Sequence, residues 1–290
     1  MLTTEKQPLA AGAVSKMRVR ATDDGQVSYQ LQLGDQTVAM NDLLGQSIHL
    51  HWHGEIHCNS CGRKTKKSFG QGHCYPCFSK LAQCDPCMMS PEKCHFHLGT
   101  CREPEWAESV CFQSHYVYLA NSSGLKVGIT RATQLPTRWI DQGAIQGMAI
   151  AKVKSRRIAG LVEDLLRGSV ADKTNWRTML KGTTDIIDLN AQRDALFEQY
   201  QQELSAISEQ FDDDSGPAIE PLIATNSLSQ TFHYPVLEYP TKISSHNLDK
   251  NPDVQGRLMG IKGQYLMLDT GVINLRKYTS YRVSLFGDNG

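Results

Sequence analysis

Alternation of apolar and polar positions is clearest over residues 48–57. Ile48, Leu50, Trp52 and Ile56 share one face at a period of two, and His49, His51, His53, Glu55 and His57 share the other. The pattern predicts a strand buried on one side, within a strand-rich stretch covering residues 16–56. A polar outer face accounts for the histidines, and a histidine metal site is the alternative reading. Two short strands, residues 116–119 and 126–129, flank the turn Asn121-Ser122-Ser123-Gly124. A helix is expected from about Pro136 to Gly143, since proline suits a first helical turn and glycine a helix end. Residues 148–153 read as a third strand. Ser155 then caps a helix with the apolar stripe Ile158, Leu161, Val162, Leu165 and Leu166. One longer amphipathic helix is expected to carry Leu189, Leu196, Tyr200, Leu204, Ile207 and Phe211. Strand patterning returns after Val236, with residues 256–268 and 272–275 flanking the hairpin signal Asp269-Thr270-Gly271.

These elements divide the chain into five stretches. Residues 1–56 form an N-terminal β segment. Residues 57–112 are cysteine-rich and too poor in apolar side chains to fold by burial alone. Residues 113–211 read as α/β. Residues 212–235, opening on Asp212-Asp213-Asp214-Ser215-Gly216-Pro217, read as a linker. Residues 236–290 form a C-terminal β segment, expected to build a small β-barrel or sheet, completed by the N-terminal strands. The fold class expected is α+β.

Composition adds limits to this outline. With 40% hydrophobic and 21% charged residues, the 290-residue chain can bury a core. No basic stretch followed by an apolar one opens the sequence, and no run of about 18 apolar residues occurs, so neither a leader nor a membrane span is expected and the location expected is cytoplasmic. A formal net charge of zero excludes binding to nucleic acid through total charge. The charge is unevenly placed, however. Arg63, Lys64, Lys66, Lys67 and Lys80 occur within residues 57–81 with no acid among them, whereas acids dominate residues 185–214.

All nine cysteines lie between Cys58 and Cys111. In a chain of this length without a leader, such density points to metal or redox chemistry. Cys58-x2-Cys61 and Cys74-x2-Cys77, twelve residues apart, can place four thiolates around one ion, most simply Zn2+, in a closed structural site. Gly62 and Gly72 allow the tight turns such knuckles need. Cys84, Cys87, Cys94 and Cys101, with His95 and His97 nearby, form a second candidate set, open to either a second zinc or an iron–sulfur cluster. Cys111 reads as an unligated small hydrophobe. Between the first knuckles, Arg63, Lys64, Lys66 and Lys67 would project from a pinned loop suited to phosphate contacts, with Phe69 and Tyr75 as stacking faces; a merely solvated loop is the alternative.

Tyr116-Val117-Tyr118-Leu119, Lys126-Val127-Gly128-Ile129-Thr130, Arg138-Trp139 and Glu163 together resemble the GIY-YIG nuclease superfamily over about residues 115–180. The resemblance implies a small α/β core into which a zinc-binding unit is inserted, and a phosphodiester-hydrolysing site. In it Tyr118 would help activate water, Arg138 would contact phosphate and Glu163 would hold Mg2+ or Mn2+. The chain departs from the pattern at Tyr116, which stands at the place of the first motif's glycine, and at Lys126, which replaces the second motif's tyrosine. Lysine can contact phosphate but cannot act as a neutral phenol. The whole chain also resembles an uncharacterised bacterial family with a cysteine-rich front, a GIY-YIG-like middle and a β-rich end. The segments carrying that resemblance are residues 58–77, 91–95, 99–103 and 273–278.

Three functions remain open from the residues and the resemblance. One is a metal-dependent phosphodiesterase acting on DNA or RNA through Tyr118, Lys126, Arg138 and Glu163. Another is a non-catalytic nucleic-acid-binding module. The third is an iron–sulfur or redox protein using the second cysteine set.

Overall fold

The computed structural model describes residues 7–223 and 229–288. The strands are β1 Ala10–Ala13, β2 Arg18–Ala21, β3 Val27–Leu33, β4 Gln36–Ala39, β5 Ser47–His57, β6 Lys64–Thr65, β7 His115–Asn121, β8 Leu125–Arg131, β9 Gln146–Val153, β10 Ile219–Pro221, β11 Gln230–Thr231, β12 Asp253–Lys262, β13 Tyr265–Leu268, β14 Gly271–Asn274 and β15 Tyr281–Gly287. The helices are α1 Tyr75–Lys80, α2 Pro104–Val110, α3 Thr137–Asp141, α4 Arg156–Leu166, α5 Trp176–Lys181, α6 Leu189–Gln199 and α7 Gln201–Phe211. Among the described residues no helix is long and apolar enough to cross a membrane.

Over the described residues the chain divides into two compact units. The first comprises Met1–Ser79, Leu180–Gly182 and Phe232–Gly290; the second comprises Lys80–Met179 and Thr183–Thr231. The division between Ser79 and Lys80 falls inside the cysteine-rich stretch, so the two CxxC knuckles belong to the first unit and the later cysteines to the second.

In the first unit β5 is the organising strand. It pairs antiparallel with β12 along residues 47–51 and with β15 along residues 48–56. Ile48, Leu50 and Ile56 are buried while His49 and His51 stay half-exposed and His53 exposed, as the period of two requires. The sheet runs β1-β15-β5-β12-β13-β14, with β6 added at the far end of β5, so N- and C-terminal segments do share one sheet. Of the two expected forms, barrel or sheet, it is the open sheet, with no closure into a barrel. The free edge of β14 is taken by the segment before β12, where Val272 donates to the Ser244 carbonyl at 2.7 Å and His246 to Val272 at 2.9 Å. At the other edge, the chain leaving β1 turns to a separate three-stranded sheet β2-β3-β4 through the bridge Val14 to Leu33. With both edges engaged, no pair of unpaired edges is left to join. The single strand expected over residues 256–268 is two, because Gly263 takes φ +61° and turns β12 back into β13.

The second unit is built on the hairpin β7–β8, in which Tyr118 lies opposite Gly128, and on β9, which pairs with the other edge of β7. The sheet order is β10-β9-β7-β8, with β11 also on β9. Thus β10 and β11 pair within the stretch read as a linker, of which residues 224–228 lie outside the described residues. Helix α4 starts where expected: Ser155 Oγ accepts from the Ile158 N–H at 3.4 Å. Ile158, Val162 and Leu166 are buried against Val117, Leu119, Val127 and Ile150. Each large side chain removed from water contributes about 1.5–3 kcal/mol. Together they outweigh the cap, worth about 1 kcal/mol, so packing rather than capping holds α4 on the sheet. The single long helix expected after Leu189 is broken at Tyr200, whose backbone leaves the helical region at φ −110° and ψ 20°. Its hydroxyl lies 2.7 Å from Ser169 Oγ, a contact that the helical period does not encode.

Candidate functional site

The four cysteines of the two knuckles come together. The first knuckle is the turn between β5 and β6, where the Cys58 N–H bonds the Arg63 carbonyl at 3.0 Å and the Gly62 N–H bonds the Cys58 carbonyl at 2.8 Å. The second knuckle begins at Cys74, just before α1, and ends at Cys77 inside it. Gly62 and Gly72 take φ +71° and +124°, the left-handed values that these turns need. All four Sγ atoms lie within 4.8 Å of one another, and Cys61 Sγ is 3.7 Å from Cys74 Sγ. Four sulfurs at ~2.3 Å from one tetrahedral ion are ~3.8 Å apart, so the spacing suits a shared ion and is far too long for a disulfide. The thiols are also in conflict without one. Burial opposes the Cys58 thiolate, but N–H donors of Cys74, Cys61 and Ser60 outweigh it and bring its pKa down to about 5. Burial and the thiols of Cys74 and Cys61 push Cys77 up to about 12. A cation would relieve that repulsion. This cluster can hold a metal ion.

The basic loop is more engaged than its sequence implied. Lys64 lies on β6 and pairs with Glu55 of β5 at 2.8 Å, an acid outside the window in which none was found. Glu55 also approaches His57 at 3.3 Å. Lys67 stands over the Phe69 ring at 5.4 Å. Phe69 in turn packs against Tyr75 and Phe78, and Tyr75 remains 63% exposed. Arg63 and Lys66 are exposed on the same loop.

The later cysteines do not form a second tight tetrad. Among the described residues no three of Cys84, Cys87, Cys94 and Cys101 have sulfurs within 4.8 Å of one another. Cys87, Cys94 and Cys101 border one small cavity, and Cys84, in a short 3-10 turn, is not part of its lining. His97 contacts Arg157 at 3.3 Å instead of joining any thiol group.

Within the second unit, Tyr118, Lys126, Arg138 and Glu163 come from four different elements, β7, β8, α3 and α4, and gather into one charged cluster. Tyr118 is fully buried; its oxygen accepts from Gln142 Nε2 at 2.6 Å. The same oxygen faces the Arg138 guanidinium and raises its pKa above the ordinary arginine value, against the opposing effect of burial. Lys126 is 7% exposed. Burial, then the neighbouring Arg138, lower its pKa to about 8, with Glu163 and Asp172 pulling the other way. Burial raises Glu163, opposed by Lys126, Arg138 and Arg167, while Asp172 adds to the rise. Gln142 and Asp172 belong to this cluster but carried no sequence signal, since neither lies in a motif.

Gly128 makes the arrangement possible. A Cβ there would overlap the Tyr118 phenol on the neighbouring strand. Gly128→Ala is expected to displace Tyr118 and destabilise the protein by about 1–3 kcal/mol, measured as a lower denaturation midpoint at unchanged m-value.

One further group was legible only in part. His49 Nε2 and His51 Nδ1 converge on the same oxygen of Asp253, at 2.7 and 2.8 Å. The β5–β12 register puts Asp253 opposite His51. The histidines were visible as the polar face of a strand, whereas the acid comes from a strand about 200 residues away.

None of the curated proteins and none of the solved structures matches the chain. The family described as Protein of unknown function (DUF2797) matches residues 45–283, which takes in the knuckles, the α/β core and the C-terminal strands, and the chain belongs to that family.

Proposed function

We propose that this protein acts on DNA or RNA as a metal-dependent phosphodiesterase of GIY-YIG type, with a structural zinc at Cys58, Cys61, Cys74 and Cys77. The observation that carries the reading is the grouping of Lys126, Arg138 and Glu163, with Arg138 facing the buried Tyr118 hydroxyl. Apolar residues would fill such a site at lower cost, because each ion taken out of water costs several kcal/mol. A buried lysine with half-buried charges of both signs beside it is a common signature of a working site.

The roles follow from the chemistry of each group. Arg138, fixed by Tyr118, presents a planar cation to a phosphate. Tyr118 has no access to bulk water and accepts from Gln142, so it acts as a positioning residue for Arg138. Lys126, charged below pH about 8, offers a second cation to the developing negative charge. Glu163, with Asp172 close enough to raise its pKa, is the carboxylate that would hold Mg2+ or Mn2+. A bound divalent cation would supply Lewis-acid stabilisation at the phosphoryl oxygen. Arg63 and Lys66, with Lys64 and Lys67, would add contacts to the nucleic-acid backbone, a salt-sensitive contribution.

The pH dependence has a definite sign. Glu163 must be ionised, and burial raises its pKa, so activity falls on acidification at a higher pH than a free carboxylate would set. Lys126 must keep its proton, so activity falls again as pH rises through about 8. Lys126→Arg is expected to remove that alkaline limb. A profile flat from pH 7 to 10 in the parent would contradict the role given to Lys126.

The burial of Tyr118 favours a second reading, a nucleic-acid-binding module without turnover. Incubation of the purified protein with single-stranded DNA, duplex DNA and RNA, with Mg2+ or Mn2+ added, separates the two. Cleavage of at least one is expected. Salt-sensitive binding with no cleavage of any would support the second reading.

A further inference from the structure

Cys111 stands apart from the other cysteines in sequence, ten residues after Cys101, and ends α2 as its C-terminal cap. The chain brings it back to them. Cys87, Cys94, Cys101 and Cys111 line one cavity in the second unit, together with Met88, Phe96, Trp106 and Ala107. All four thiols are free. Cys87 lies close enough to Cys94 and Cys111 for their charges to act on it, and Cys111 likewise feels Cys94 and Cys101. We propose that these four cysteines, with Cys111 in place of Cys84, are the ligands of an iron–sulfur cluster.

The spacing argues for a cluster over a single ion. Around one zinc, sulfurs close to ~3.8 Å from each other, as Cys61 and Cys74 nearly do at 3.7 Å in this same chain. No three sulfurs of the second group lie within 4.8 Å of one another. They border a cavity of only about 20 Å³ instead of meeting. A cluster places several irons and sulfides between its four thiolates, so its ligands stand further apart than those of one ion, and the cavity would have to widen to admit it.

Burial, with Asp85 beside Cys87, works against the Cys87 and Cys111 thiolates, so a nearby cation is needed to offset it. Arg156 lies within electrostatic reach of both Cys111 and Cys87. Its Nη2 donates to the Met88 carbonyl at 2.7 Å, and its buried Nε has no hydrogen-bond partner in the structure. A buried guanidinium N–H without an acceptor is costly, and a cluster or thiolate sulfur beside it would supply one. The Arg156 backbone N–H also ties Cys111 in place through its carbonyl at 2.7 Å. The loop bearing Cys94 is held against α4 because Gly160 leaves room for Pro91 and the Glu92 backbone.

Asp85 and His95 bring ligand atoms within 4.8 Å of the Cys87 sulfur, a trio that could itself hold a metal ion, but both side chains are engaged elsewhere. Asp85 accepts from the Cys87 N–H at 3.0 Å, from Arg102 Nε at 2.8 Å, and contacts His95 Nε2 at 3.3 Å. The other nitrogen of His95 contacts Thr100 Oγ1 at 2.7 Å. Both oxygens of the acid and both nitrogens of the imidazole are therefore occupied in bracing the loop.

The test uses full-length protein purified without oxygen, as parent, Cys84→Ser and Cys111→Ser. Iron, inorganic sulfide, zinc and the visible spectrum are measured on each. The parent is expected to be brown, with iron and sulfide in equal amounts beside one zinc. Cys84→Ser should keep its iron, whereas Cys111→Ser should lose at least four-fifths of it. A colourless parent with two zinc ions would overturn the proposal. So would loss of iron in Cys84→Ser with retention in Cys111→Ser. Should Cys111→Ser fail to fold, a brown Cys84→Ser protein with parental iron supports the assignment, and a colourless folded one overturns it.

Discussion

Glu163→Gln is expected to lower phosphodiester cleavage by about 10²–10⁴-fold with little change in nucleic-acid binding. The substitution keeps the shape of the side chain on α4 and removes its charge. Loss of a correctly held divalent cation removes about 3–5 kcal/mol of transition-state stabilisation, and each 1.4 kcal/mol is tenfold in rate. The substitution's effect on stability is the balance of two opposing contributions. Burial already works against the Glu163 carboxylate, and a neutral amide avoids that cost. The substitution does leave Lys126 and Arg138 facing each other with less negative charge between them. In the proposed function binding would rest on those two cations and the basic loop, so affinity is expected to stay within a few-fold. Single-turnover rates and equilibrium binding measured on the same preparations check both halves. A variant that loses binding and cleavage in parallel would show that Glu163 supports structure and not chemistry.

Cys74→Ala is expected to cost one zinc per chain and about 3–5 kcal/mol of stability, in line with the loss of a structural metal. The magnitude comes from what the ion holds. Cys58 and Cys74 are buried, and the knuckles end β5 and begin α1. Around them the chain is short of apolar side chains that could hold β6 and α1 by packing. Without the ion, three remaining sulfurs are left with donors that favour one thiolate and neighbours that oppose the next. Zinc analysis and thermal unfolding measure the two effects. Loss of zinc with an unchanged unfolding temperature would contradict a structural role. The α/β unit has its own core, so its spectroscopic signature should outlast the loss.

What could be read from the sequence was local. The strand of β5, the hairpin β7–β8, the start of α4 and the CxxC knuckles each lie within a short window, where period, cap residue or spacing carries the information. The cluster at Tyr118 was reachable because its motifs fall within about 50 residues and a resemblance ordered them. What was not legible depends on distant pairing. The charge of Lys64 looked free until Glu55 met it across the β5–β6 hairpin, and Asp253 joined His49 and His51 from another strand. The choice between barrel and open sheet stayed open for the same reason, since alternation shows that a strand has two faces but not which partner takes its edge. At Tyr200, where the helix breaks, the hydroxyl meets Ser169, a contact outside any helical period. Cys111 looked like an isolated hydrophobe because spacing says nothing about a cysteine returned to the group by the fold.

The most direct test of the central claim is a titration of Mn2+ into zinc-loaded, otherwise metal-free parent protein, with the single-turnover cleavage of DNA and RNA followed at pH 7.5. No cleavage is expected without Mn2+, with a saturable rise in rate as Mn2+ is added and zinc content unchanged throughout. Absence of cleavage of every substrate at saturating Mn2+, or a rate indifferent to Mn2+, would contradict that claim.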